Sequence, residues 1–178
     1  MVWIVSLAGG GVAADAGLPP IACSTAGNPP QRRTRIGRAW LDRCCLPHIY
    51  VEQSPLTIPQ PLRGEIKRPD FLVGVPTIGT TAVDVKAKRV YADTLLIDAY
   101  EHRTLLNFET FFNISVWFAC FPPDEPHTCH LFLNHALAGL PARMVRGEPV
   151  IGAPLTLGTI ADERRDFMAA LLSAIRLK

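Results

Sequence analysis

Apolar residues recur at helical spacing from Arg33 to Cys45. Ile36, Ala39, Trp40 and Cys44 share one side, and Arg32, Arg33, Arg35, Arg38 and Arg43 supply the polar side. Pro47 ends this predicted helix. His48 to Gln53 reads as a short strand, Pro55, Pro59 and Pro61 mark a loop, and Asp70 to Val75 reads as a second strand. Gly79 turns the chain into a third strand, Thr80 to Ala87, with Val83, Val85 and Ala87 on one face and Asp84 and Lys86 on the other. Leu96 to Asn113 is a predicted helix with Ala99, Leu105, Leu106, Phe108 and Phe112 as its apolar positions. Ile114 to Phe121 is apolar at successive positions, the pattern of a strand covered on both faces.

Leu131 to Leu133 gives a further short strand, and Gly139 to Pro154 reads as a loop that either carries specificity or just connects. A last helix is expected from a Thr159 cap, with Asp162 and Glu163 in its first turns and Met168, Leu171, Leu172 and Ile175 on one face. The order is helix, three strands, helix, strand, short strand, helix. It predicts an α/β (α+β) layer fold, a central mixed sheet flanked by helices.

Composition refines this. The 178 residues predict one domain. Hydrophobic residues at 48% are enough to bury a core, and a net charge of +2 excludes a polycation held to nucleic acid by bulk charge alone. Sixteen prolines, against an average share of about 5%, exclude a helical bundle or coiled coil. Residues 1–31 hold Gly9-Gly10-Gly11, Pro19-Pro20 and Pro29-Pro30 with few charges and no sustained period, and read as a flexible tail before a single domain at 32–178. Within that tail, Gly9-x-Gly11-x-x-Ala14 after Trp3 to Ala8 is a poor dinucleotide fingerprint, because Gly17, Pro19 and Pro20 interrupt the helix it needs. Met1 to Ala14 is too short and glycine-rich to span a membrane and lacks the Lys or Arg of a signal peptide. An odd count of five cysteines gives no disulfide framework and suits reduced thiols in the cytoplasm.

The candidate chemistry lies in Arg68-Pro69-Asp70 and Asp84-Val85-Lys86. Asp84 and Lys86, two apart on a strand, leave the same face of an otherwise apolar run. Burying an acid and an amine there costs free energy unless they are paired or hold a metal. If the second and third strands form a hairpin, Asp70 reaches Asp84 from the side, giving two carboxylates beside a lysine. Such a hard-oxygen site suits Mg²⁺ (or Mn²⁺).

At these residues the sequence resembles the PD-(D/E)xK nuclease superfamily, which includes restriction endonucleases and Holliday-junction resolvases. Pro69-Asp70 is similar to the first half of its motif and Asp84-Val85-Lys86 to the second. The expected order over residues 33–121 is similar to the restriction-endonuclease-like core. The resemblance implies metal-dependent phosphodiester hydrolysis, with DNA favoured over RNA. It implies that Asp70 and Asp84 ligate the metal, that the Val85 carbonyl contributes, and that Lys86 assists the attacking water.

Members of the family often add an acid from the first helix. Here the turn from Arg35 to Arg38 is basic, so the completing acid is sought among Asp42, Glu52 and Glu65, with Glu52 preferred. The family's second helix often adds a polar residue. His102 or Glu101 could serve there, with a solvated side chain as the favoured reading of each. Arg63, Lys67, Arg68, Lys88 and Arg89 are the candidate phosphate-binding rim, with Tyr91 and Tyr100 as weaker base-stacking candidates. His127, His130, His135, Cys120 and Cys129 fit no zinc spacing.

The settings that suit such an enzyme are repair, recombination or a mobile element, with a homodimer for cutting both strands. A toxin domain covered by an acidic immunity protein is the other setting, and no membrane partner is expected. A non-catalytic nucleic-acid-binding or protein-interaction module of the same fold is the rival reading.

Overall fold

The computed structural model describes residues 29–125, 127–162 and 167–176. The fingerprint, signal-like stretch and strand considered in residues 1–28 lie outside them. Helix α1 (Pro29–Arg43) begins three residues inside the stretch read as a tail. Next come β1 (His48–Tyr50), two 3-10 turns, β2 (Phe71–Val75), β3 (Gly79–Lys86), β4 (Val90–Tyr91), β5 (Thr94–Asp98) and α2 (Ala99–Phe112). The chain continues through β6 (Val116–Cys120), β7 (Thr128–Leu133), β8 (Ala142–Val145), β9 (Glu148–Pro154), β10 (Thr159–Asp162) and α3 (Phe167–Arg176).

A six-stranded sheet runs β1-β2-β3-β6-β7-β10, and a four-stranded sheet runs β4-β5-β9-β8. Strands β3 and β6 are parallel, with Asp84 opposite Phe118 and Lys86 opposite Cys120. Every other pairing is antiparallel, including the β2–β3 hairpin, where Phe71 faces Val83. The architecture is α+β, a central mixed sheet flanked by helices. The expected order of helix, three strands, helix and strand is found as α1, β1, β2, β3, α2 and β6, with β4 and β5 inserted between β3 and α2.

Two apolar clusters divide the large sheet's faces. On one side α1 and α3 bring Trp40, Leu41, Phe167 and Leu171 against Phe71, Val83, Val85 and Trp117. On the other, α2 and the small sheet bring Leu105, Phe108, Leu95, Ile97 and Ala153 against Ala82, Phe118, Cys120 and Phe132. The alternation of β3 is thus used on both faces: Val83 and Val85 fill the first cluster, while Asp84 and Lys86 leave on the second side, at its margin. Close approach of α1 is set by Gly37, where a Cβ would stand 2.5 Å from Val85 Cγ2.

Three expectations are corrected. Leu96 does not begin a helix: Thr94–Asp98 is a strand with Leu95 and Ile97 buried, and the helix starts at Ala99, where Asp98 accepts a hydrogen bond from Glu101 N at 2.7 Å. Thr159 does not cap the last helix: Thr159–Asp162 pairs with β7 to complete the large sheet, and the helix begins at Phe167. Met168 and Leu171 do face the core. Residues Gly139 to Pro154 are not merely a loop, since β8 and β9 form a hairpin closed by Arg146 and Gly147, both at positive φ (54° and 83°), as a two-residue hairpin turn requires.

Candidate active site

Each acid of the site is held by backbone geometry. Asp70 lies at the bend entering β2. Val51 N donates to its carbonyl at 2.9 Å, and Gln53 Nε2 donates to Pro69 O at 3.0 Å, so the end of β1 holds this dipeptide. The Asp70 side chain turns to β3, where its Oδ2 accepts from Val85 N at 2.8 Å. Asp84 and Lys86 are fully buried in β3, and Lys86 Nζ donates to Asp84 Oδ2.

Two residues that the sequence placed elsewhere join this pair. Glu101, read as solvated, stands in the first turn of α2 and reaches Lys86 at 2.8 Å and Lys67 at 2.5 Å, both through Oε1. Lys67, read as part of the rim, donates to Asp84 Oδ1 at 2.5 Å. Asp84, Lys67, Glu101 and Lys86 therefore form a closed ring of alternating charge.

The ring depends on residues 64–67 lying along α2. Tyr100 Oη donates to Gly64 O at 2.9 Å, Asn107 Nδ2 to Glu65 O at 2.7 Å, and Lys67 N to Thr104 O at 3.2 Å. Ile66 buries its side chain at the same place. No local sequence signal marks these contacts in advance; Glu101 itself lies in the first turn of α2, beside its Asp98 cap.

The electrostatics follow from the ring. Burial opposes charge on Glu101, but Lys86 and Lys67 outweigh it and bring its carboxyl down to about 2. Burial likewise opposes charge on Lys67, and Asp84 and Glu101 overcome it, so its ammonium is held above the usual lysine range. Asp70 goes the other way. Burial and then the neighbouring Asp84 carboxylate push its carboxyl up, against the Val85 N–H bond and the two lysines. Among the described residues Asp70 makes no ion pair.

Other candidates are placed differently. Glu52 does not join the ring. Its exposed carboxylate accepts from Ser54 N at 2.7 Å and Thr57 Oγ1 at 3.0 Å, closing its own loop. Arg68 is not a free rim residue either, because its guanidinium donates to Thr57 Oγ1 and to Ser54 O at 2.6 Å and lies 3.9 Å from Glu52. Arg63 is exposed and donates to Ile58 O at 3.1 Å, Lys88 is half-buried, and Arg89 pairs with Asp124 at 3.4 Å. Asp42 is exposed, 3.6 Å from His48. Helix α1 covers the Val83 and Val85 face, so its arginines lie across the sheet from Lys86.

His102 is buried, with Nδ1 2.7 Å from Asn134 Oδ1. Cys120 and Cys129 lie in different apolar clusters, and His130 is 3.3 Å from Glu125. Among the described residues no helix is long and apolar enough to cross a membrane.

No protein-family model and no curated protein matches the chain by sequence. In structure it is similar to Hjc, a Holliday junction resolvase from Archaeoglobus fulgidus, with a TM-score of 0.47 and 18% identity over 70% of this chain and 95% of that one.

Among the described residues no group of three or more His, Cys, Asp or Glu is placed to hold a metal ion, and the carboxylates at the ring are Asp70, Asp84 and Glu101. Asp70 and Asp84 are carboxylates close enough to raise the Asp70 proton affinity, and Asp70 has no counter-ion of its own. Mg²⁺ takes one or two carboxylates and leaves its remaining positions to water and phosphate oxygens.

Proposed function

We propose that this protein is a metal-dependent nuclease that hydrolyses phosphodiester bonds, with DNA as the favoured substrate. The observation that carries the reading is the fully buried Asp84–Lys86 pair at the C-terminal end of β3, with Asp70 beside it. Apolar residues of similar volume would stabilise such a strand at least as well as a buried ion pair. A strand that retains the pair, and gathers Lys67 and Glu101 around it, is organised for chemistry at that face.

Asp70 and Asp84 would hold a Mg²⁺ or Mn²⁺ ion, with the Val85 carbonyl as a further donor. When bound, the ion would neutralise charge that grows on the phosphate. Lys86 does the rest of the positioning. Its ammonium is fixed by Asp84 and Glu101 and lies 5.4 Å over the Phe118 ring, so it presents an oriented donor to a water attacking in line. Glu101 fixes that ammonium from the helix side. Of the five basic residues first considered for phosphate binding, Arg63, Lys88 and Arg89 are the ones left for a nucleic-acid backbone outside the ring. A homodimer and an acidic immunity partner belong to this reading as assembly states, the first for a duplex and the second for a toxin.

The rival is a nucleic-acid-binding module without hydrolysis. What favours it is the closed ring: both Asp84 oxygens already carry a lysine. One experiment separates the two. The chain is incubated with single- and double-stranded DNA and RNA, with Mg²⁺, Mn²⁺ or chelator, beside Asp84→Ala and Lys86→Ala. The nuclease reading expects metal-dependent cleavage that is lost in both variants, by a factor of about 10² or more. Binding that is indifferent to chelator and to Asp84→Ala, with no cleavage of any substrate, would establish the rival instead.

A further inference from the structure

Resting on the metal-nuclease reading, we propose that Lys67 is a tethered counter-ion that a divalent cation must displace from Asp84, so that the site is closed by its own side chain until metal enters. Asp84 offers a metal two carboxylate oxygens, and a lysine holds each. Lys86, on Oδ2, has no route out. Its side chain is 1% exposed and lies over Phe118, and Glu101 holds both lysines alike. Lys67, on Oδ1, is 29% exposed and stands on the solvent side of the ring. The oxygen that can be freed is therefore Oδ1.

The backbone that carries Lys67 does not need to move. Residues 64–67 are fastened to α2 by Tyr100, Asn107 and the Thr104 carbonyl, and Ile66 is buried. The four-carbon stem beyond that anchor is flexible. A rotamer change alone takes the ammonium from Asp84 to water.

Charge balance points the same way. Asp70, Asp84 and Glu101 face Lys67 and Lys86. A divalent ion added beside both lysines brings a third cationic centre to the part-buried ring, whereas exchanging it for Lys67 keeps the number at two. Like charges crowded at a low-dielectric site repel strongly, so entry of the ion and departure of Lys67 are coupled.

Mn²⁺ binding to the full chain, without nucleic acid, tests this by calorimetry on wild type, Lys67→Met, Lys67→Arg and Asp84→Asn. Lys67→Met removes the competitor and is expected to bind Mn²⁺ roughly tenfold tighter or more. Lys67→Arg keeps a cation on Asp84 and stays within a few-fold of wild type, and Asp84→Asn loses binding. A second readout needs no variant at position 67: acetic anhydride labelling of Lys67, followed by mass spectrometry, should rise severalfold when wild type is saturated with Mn²⁺.

Wild type that binds Mn²⁺ with Lys67→Met binding equally or more weakly overturns the inference and leaves the metal site standing. Absence of Mn²⁺ binding in both wild type and Lys67→Met removes the metal site and the inference with it. Should circular dichroism find Lys67→Met unfolded, unchanged labelling of wild-type Lys67 at saturating Mn²⁺ overturns the inference.

Discussion

Lys67 and Lys86 meet at a single oxygen, Oε1 of Glu101, at 2.5 and 2.8 Å. Two ammonium groups share one carboxylate oxygen there because Asp84 binds the same two lysines from the opposite side. Each lysine thus lies between two acids, and removing either acid leaves the buried Lys86 and the part-buried Lys67 with one partner.

Acid titration of the metal-free protein should reveal this arrangement. The Glu101 carboxyl is lowered from 4.5 to about 2, so below 4.5 the unfolded chain takes up a proton that the folded chain refuses. Its stabilising contribution is complete above 4.5 and is lost as pH falls through about 2. Denaturant unfolding at a series of pH values should give a steep fall in stability across that window. Glu101→Gln should flatten the fall and lower stability at neutral pH.

Asp70 has the opposite sign. Its carboxyl is raised, so the stability from this shift is present below the ordinary value of 3.8 and is lost as pH rises through the folded value. Once ionised, Asp70 is a cost to the metal-free fold. Asp70→Asn keeps an oxygen for Val85 N and removes the charge. Thermal melts in chelator should place Asp70→Asn above wild type, while cleavage with Mg²⁺ should fall by about 10² or more. A lower melting temperature for Asp70→Asn in chelator would contradict this.

Glu52 gives a contrasting case. Its carboxylate ties Ser54 and Thr57 and does not reach the ring. Glu52→Ala should keep cleavage within a few-fold of wild type and cost about 1 kcal/mol or less, as expected for exposed hydrogen bonds. A loss of cleavage comparable to Asp84→Ala would return Glu52 to the site.

The packing of α1 on β3 is testable away from the chemistry. A methyl added at Gly37 meets Val85 Cγ2 at 2.5 Å and Phe71 Cε2 at 3.2 Å. Gly37→Ala should therefore cost about 1–3 kcal/mol through overpacking, despite the better helix propensity of alanine. Chemical denaturation of wild type and variant measures the difference.

The local sequence determined the elements whose pattern repeats within a few residues. Alternation along β3 separates Val83 and Val85 from Asp84 and Lys86, and the apolar run of β6 marks a strand covered on both sides. The same short range misleads where one stretch suits two periods. Leu96 with Leu105, Leu106 and Phe108 reads as one helix, until pairing with β9 draws Thr94–Asp98 into the small sheet. Thr159 and Asp162 read as a helix start, until the open edge of β7 takes them as a strand.

The site divides in the same way. Asp84 and Lys86 are legible because a strand puts residues two apart on one face. Lys67 stands 17 positions from Asp84 and 34 from Glu101, and nothing local distinguishes it from Lys88 or Arg89. Glu101 was a candidate from the second helix, but tertiary structure decided that it and Lys67 would enter the ring, because the contacts of Gly64, Glu65 and Lys67 with α2 form only when residues 64–67 and the helix pack together.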